Sequence, residues 1–127
     1  MKYLCLVYLD EKVLNAMPKE VFEPFSAEHV ALDEELRRNG QSILAEALQP
    51  VSTAVTVRLR NGKLSTTDGP FAETKEQLGG YYLIDVPNLD AALKWAAKCP
   101  GIKGGSIEVR PLGIITATDG SIAAMQQ

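Results

Sequence analysis

Three features of the sequence predict an α+β domain of the split βαβ, ferredoxin-like kind with an inserted β-hairpin. Residues 2–9 and 81–86 are apolar on both faces when read as strands, which marks them as central strands buried on two sides. Two segments with helical periodicity, near residues 24–39 and 89–98, lie between strand-like runs. Asn61-Gly62, between two further short runs, is a type I′ turn signal. With the hairpin set aside, the order is strand, helix, strand, strand, helix, strand, an arrangement that puts the first and third core strands in the middle. Those are the two doubly apolar runs.

The first strand places Tyr3, Cys5, Val7 and Leu9 on one face and Leu4, Leu6 and Tyr8 on the other. Pro18 and Pro24 interrupt the segment after it, so the first long helix is predicted to begin near Pro24, a residue tolerated at the first helical position. Phe25, His29, Leu32 and Leu36 then form one amphipathic stripe, flanked or opposed by Glu28, Asp33, Glu35, Arg37 and Arg38. Gly40, following Asn39, ends the helix. A second strand is predicted over residues 43–48, stopped by Pro50. From Val51 to Arg60 apolar and polar residues alternate, the pattern of a strand with one wet face, and residues 63–67 fold back on it.

Asp68-Gly69-Pro70 predicts a sharp turn: Asp bonds nearby backbone, Gly permits positive φ and Pro fixes its own. Phe71 then reads as an apolar anchor. Thr74 and Gln77 have capping-box spacing, which predicts one short helical turn ended by Gly79 and Gly80 before the strand at residues 81–86. Asn88 is placed to cap the second long helix, with Leu89, Ala92, Leu93 and Ala96 inward and Lys94 and Lys98 near its C-terminal end. Pro100 and Gly101 stop it, and residues 106–110 form the last strand before Pro111. The domain is expected to span residues 1–112, with residues 113–127 a loosely attached tail.

Both predicted helices pack on one side of such a sheet. The other side keeps tyrosines and leucines uncovered, and an apolar patch of that size marks an interface. A homodimer joined through the sheet face is therefore expected.

With 127 residues, 46% hydrophobic and 23% charged, the chain suits one soluble domain. A net charge of -3 argues against binding nucleic acid, which needs clustered cations. The apolar run from Tyr3 is short and meets Asp10, Glu11 and Lys12, so it reads as a strand rather than a signal segment, and no run is long enough to cross a membrane. Cys5 and Cys99 have neither metal-ligand spacing nor the number for a disulfide framework, so a reducing, cytoplasmic setting is expected.

The chemistry-bearing residues are few. His29 is the single histidine and lies on the inward helical stripe; taken alone, such a residue is more often half-buried packing than a catalyst. Asp68, Glu73, Lys75 and Glu76 gather charge around the central loop, where backbone N–H groups at a helical turn can hold a small polar ligand; Asp68 can equally cap its own turn. Cys99 at a helix end reads as packing more readily than as a nucleophile. No metal set, phosphate loop or serine-histidine-aspartate set is present, and no cofactor is predicted.

The runs DGPFAETKEQLGGYYLIDV at residues 68–86, MKYLCLVYLDE at the start and GSIEVRPL at residues 105–112 resemble the DGPF branch of the YCII-related proteins. The resemblance implies a dimeric α+β barrel. It also implies a helix-one histidine in a pocket between helix and sheet, followed by a glycine at the helix end, which His29 and Gly40 match. Some of those relatives pair the histidine with an aspartate for proton transfer, one of them in dehydrochlorination of a chlorinated hydroquinone. That aspartate is expected just before the proline ending the second helix, where this chain has Cys99-Pro100. The departure puts the same dyad in doubt, with Asp68 the candidate substitute.

Two functions compete. One is a small-molecule enzyme or binding protein whose pocket is lined by His29, Tyr3, Tyr81 and the central loop, with Glu73 and Lys75 as ligand contacts. The other is a regulatory module that uses the apolar sheet face; the resemblance makes an extracytoplasmic-function sigma factor its candidate partner. RNA recognition on the sheet is a third option, opposed by the negative charge and the missing RRM signature.

Overall fold

The computed structural model describes residues 1–113; the expected tail from Gly113 onward falls almost wholly outside them. The class is α+β with antiparallel sheets. Strands β1 (Lys2–Leu9), β2 (Ser42–Ala47), β3 (Val55–Arg60), β4 (Lys63–Asp68), β5 (Gln77–Asp85) and β6 (Gly105–Pro111) accompany helices α1 (Glu11–Asn15), α2 (Lys19–Arg38) and α3 (Leu89–Lys98). Four strands form one sheet in the order β2-β5-β1-β6, while β3 and β4, among the described residues, pair only with each other. The two doubly apolar runs, β1 and β5, are the central strands.

Alternation decides which side of the sheet is core. Tyr3, Cys5 and Val7 of β1 and Tyr82 and Ile84 of β5 are buried together with Leu32 and Leu36 of α2, Ala92 of α3 and Cys99. Leu4, Leu6, Tyr8, Tyr81 and Leu83 lie at the intervening positions and are only half-buried. Helices α2 and α3 present residues to the first side, and among the described residues no helix covers the second.

Several local expectations are corrected. Helix α2 begins at Lys19, with Pro24 inside it and Pro18 in the cap position. The carbonyl of Pro18 accepts from the amides of Val21 and Phe22 at 2.9 and 2.8 Å, so the first turn is already closed when Pro24 arrives. Pro24 removes one donor only, opposite the exposed Glu20 carbonyl, which water can satisfy. Helix α1 was not foreseen, although Asp10 caps it by accepting from Lys12 N at 3.0 Å. In α3 the inward residues are Ala92, Trp95 and Ala96 rather than Leu89 and Leu93, which are exposed.

The helical turn expected after Thr74 is absent, and β5 begins at Gln77 instead. Thr74 and Gln77 spend their side chains on carbonyls: Thr74 Oγ1 donates to Glu76 O at 2.6 Å, and Gln77 Nε2 donates to Ala72 O at 3.0 Å. Gly79 and Gly80 lie within the strand, at a bulge where Val7 pairs with Gly80 and Tyr8 with Leu78.

The hairpin turn is as expected, with Asn61 and Gly62 at φ 52° and 75°. Its apolar face is not dry. Val55, Val57, Leu59 and Leu64 are all exposed in the single chain, and Phe71, far from being an anchor, is 79% exposed under the Arg58 guanidinium. Val51, Ser52 and Thr53 form a 3-10 turn rather than the start of β3.

Candidate functional site

Small residues open a space between α2 and the sheet. On the core side, one row across the sheet reads Ala45, Tyr82, Cys5 and Val109, and the next reads Ala47, Gly80, Val7 and Ile107. Bulky side chains fill the first row at its centre; Ala47 and Gly80 leave the second empty on the β2 side. A pocket of about 450 Å³ lies there, floored by Ala45, Ala47, Gly79 and Gly80 and walled by Phe22, Phe25, His29 and Asp33. That size falls within the range of small-molecule sites.

His29 is fixed by its own helix. Its Nδ1 lies 3.0 Å from the carbonyl oxygen of Phe25, and since a carbonyl only accepts, Nδ1 carries the proton. In the neutral ring Nε2 therefore holds the lone pair. Phe25 also packs edge-on to the imidazole, with centroids 4.7 Å apart. Nε2 has no hydrogen-bond partner among the described residues and is not sealed from solvent. It faces Gly101 of the 3-10 turn Pro100–Lys103, where an added Cβ would stand 3.5 Å from it.

Asp33 follows one turn later and also lines the pocket. Its Oδ2 accepts from Arg37 Nε at 2.7 Å and its Oδ1 from Ser42 Oγ at 3.0 Å. The Arg37 guanidinium is held above its ordinary pKa by that hydrogen bond and by the charge of Asp33 behind it. Sequence reasoning set Asp33 aside as a flanking charge; its four-residue spacing from His29 was the readable signal.

The other expected site residues fall elsewhere. Tyr81 borders the pocket, but Tyr3, Asp68, Glu73 and Lys75 do not. Tyr3 is a core residue 3% exposed, its hydroxyl 3.6 Å from Met1 Sδ. Asp68 ends β4 opposite Val55, and Glu73 and Lys75 are exposed on the loop beyond it. Glu76 instead ties that loop to β6, accepting from Ser106 Oγ at 2.7 Å.

Cys99, at the position where the resemblance leads one to expect aspartate, is 2% exposed beside Cys5 and the Tyr82 hydroxyl. Burial pushes the Cys5 thiol up to about 11 and raises Cys99 as well. Both thiols stay protonated at neutral pH, so neither supplies a thiolate nucleophile there. Among the described residues no cluster of His, Cys, Asp or Glu could hold a metal ion, and no helix is long and apolar enough to cross a membrane.

Fold and site together define an antiparallel α+β protein with a single histidine set in an apolar pocket. The family model of the YCII-related domain matches residues 1–114, so the chain belongs to the YCII-related family. It is also similar to an uncharacterized protein of Rhizobium meliloti (strain 1021), 40% identical over 116 residues that cover 90% of this chain and 94% of the relative.

Proposed function

We propose that this protein binds a small, largely apolar molecule in the pocket between α2 and the sheet, and that His29 Nε2 accepts a proton or hydrogen bond from it. The observation that carries the proposal is the Nδ1 bond to Phe25 at 3.0 Å, which leaves the lone pair on the free nitrogen. With Nδ1 donating to a carbonyl, Nε2 is the acceptor the ring offers, and ligands with an acidic hydroxyl, phenols above all, suit it best. Asp68, Glu73 and Lys75 stand away from this pocket in the single chain, so the proton-handling role rests on His29.

The test follows the His29 imidazole by NMR while 4-methylphenol is added to the wild type and to Ala47→Leu. Ala47 lies on the edge strand and floors the pocket, so leucine there fills it at little cost to the fold. A saturable shift in the wild type, weakened about tenfold or more in the variant, is the expected result; tenfold is the effect of about 1.4 kcal/mol. Equal responses in the two proteins would place the phenol elsewhere and refute the proposal.

The finer features of the fold belong to the same reading. The order β2-β5-β1-β6 with β1 and β5 central supports a split βαβ, ferredoxin-like sheet, and the run from Asp68 to Glu76 supports membership of the DGPF branch. Leu4, Leu6, Tyr8, Tyr81 and Leu83, without a helical layer, support a homodimer in which two sheets face each other as a dimeric α+β barrel. A cytoplasmic location agrees with the two reduced cysteines.

A second reading, a regulatory module, draws on the hairpin, where exposed Val55, Val57 and Leu59 give it an apolar face to offer. An extracytoplasmic-function sigma factor is the proposed partner. Co-purification that is lost when Val57 and Leu59 become serine favours this reading, and co-purification indifferent to them removes its basis.

A further inference from the structure

We infer that Asp33 is the second binding group of the His29 pocket, accepting a hydrogen bond from a hydroxyl at the far end of a ligand whose near end meets His29 Nε2. The inference rests on the reading of that pocket as a ligand site. His29 and Asp33 lie four residues apart on α2 and both line the pocket, which sets them about 6 Å apart along the helix axis. No ion pair or hydrogen bond joins them to each other; Nδ1 of His29 is taken by Phe25 and the carboxylate by Arg37 and Ser42.

Those two donors immobilise the carboxylate without using it up. Each oxygen accepts one bond, whereas an ionised carboxylate offers about four acceptor sites. Arg37 also balances its charge, so a neutral hydroxyl suits it and no cation is required. Much of the remaining wall is apolar, with Phe22, Phe25, Val30, Val7 and Leu9 among its residues. The ligand class that matches is a small ring or chain with an apolar body and hydroxyl groups at opposite ends, the more acidic one toward His29.

The compounds 4-(hydroxymethyl)phenol and 4-methylphenol differ only by the far hydroxyl and serve as probes, with binding read from the His29 resonances. Wild-type protein is expected to prefer the hydroxymethyl compound about tenfold, the effect of one hydrogen bond to a charged acceptor. Asp33→Ala should erase the preference between the two probes. Ser42→Ala, which frees the carboxylate from its tether without removing it, should keep most of the preference. Equal binding of both probes by the wild type, or an unchanged preference in Asp33→Ala, overturns the role of Asp33. A His29 signal indifferent to both probes overturns the pocket reading beneath it. If Asp33→Ala does not fold, Asp33→Asn takes its place: a preference reduced there, where the acceptor is neutral, supports the role of Asp33, and an undiminished one overturns it.

Discussion

Gly105→Ala should cost this protein on the order of 3 kcal/mol or more, the upper range for forcing atoms into packed structure. Gly105 begins β6 opposite Leu9 of β1, and a Cβ built there would collide with the carbonyl oxygen of Tyr8 and stand 3.2 Å from Leu9 Cδ2. The first obstacle is backbone of a central strand, which cannot swing aside as a side chain can. Relief requires parting β6 from β1 at the end that adjoins the pocket. Urea denaturation is the check: a midpoint far below that of the wild type is the expected outcome, and a loss under about 1 kcal/mol would mean that the seam is looser than described.

Gly101→Ala should also be damaging, and it acts on the site itself. The new methyl would meet Val7 Cγ1 at 2.8 Å and approach His29 Nε2 to 3.5 Å. Val7 is buried and β-branched, so it has few other rotamers to adopt, and a cost of about 1–3 kcal/mol follows. The substitution also crowds the nitrogen that the proposed ligand must reach. Folded Gly101→Ala protein should therefore bind 4-methylphenol more weakly than the wild type, as seen in the His29 resonances. Unimpaired binding would show that the ligand approaches Nε2 from some other direction.

Where the sequence spoke through period, it was legible. The doubly apolar runs at Tyr3 to Leu9 and Tyr81 to Val86 are the two central strands, although in the single chain one face of each is only half-buried. Asn61-Gly62 marked its turn because both residues take positive φ there. The stripe of Phe25, His29, Leu32 and Leu36 put the histidine on the inner side of its helix. Prolines misled: Pro24 looked like a helix start, yet a proline just past a closed first turn costs only one bond. Thr74 and Gln77 misled in a related way, since their side chains can satisfy carbonyls as readily as N–H groups, and spacing alone does not say which.

The pocket was half legible. His29 carried a signal, but the cavity exists because Ala45, Ala47, Gly79 and Gly80 lack bulk, and small residues contribute nothing to an amphipathic pattern. Asp33 was overlooked for a different reason. A charged residue beside an apolar stripe is normally a solvated flank, and only the donors from Arg37 and from Ser42, the latter on the neighbouring strand, turn it inward. Tyr3 lies in the core with its hydroxyl near Met1 Sδ, since a tyrosine on a central strand can point its hydroxyl along the core rather than into a cavity.

The central claim is that the sole histidine offers Nε2 as an open base inside the pocket. Nitrogen chemical shifts of the His29 ring, taken at a pH where the ring is neutral, test it most directly. The account predicts a protonated Nδ1 and a bare Nε2 whose shift moves when 4-methylphenol is added; a proton on Nε2, or a bare nitrogen that ignores the phenol, would contradict it.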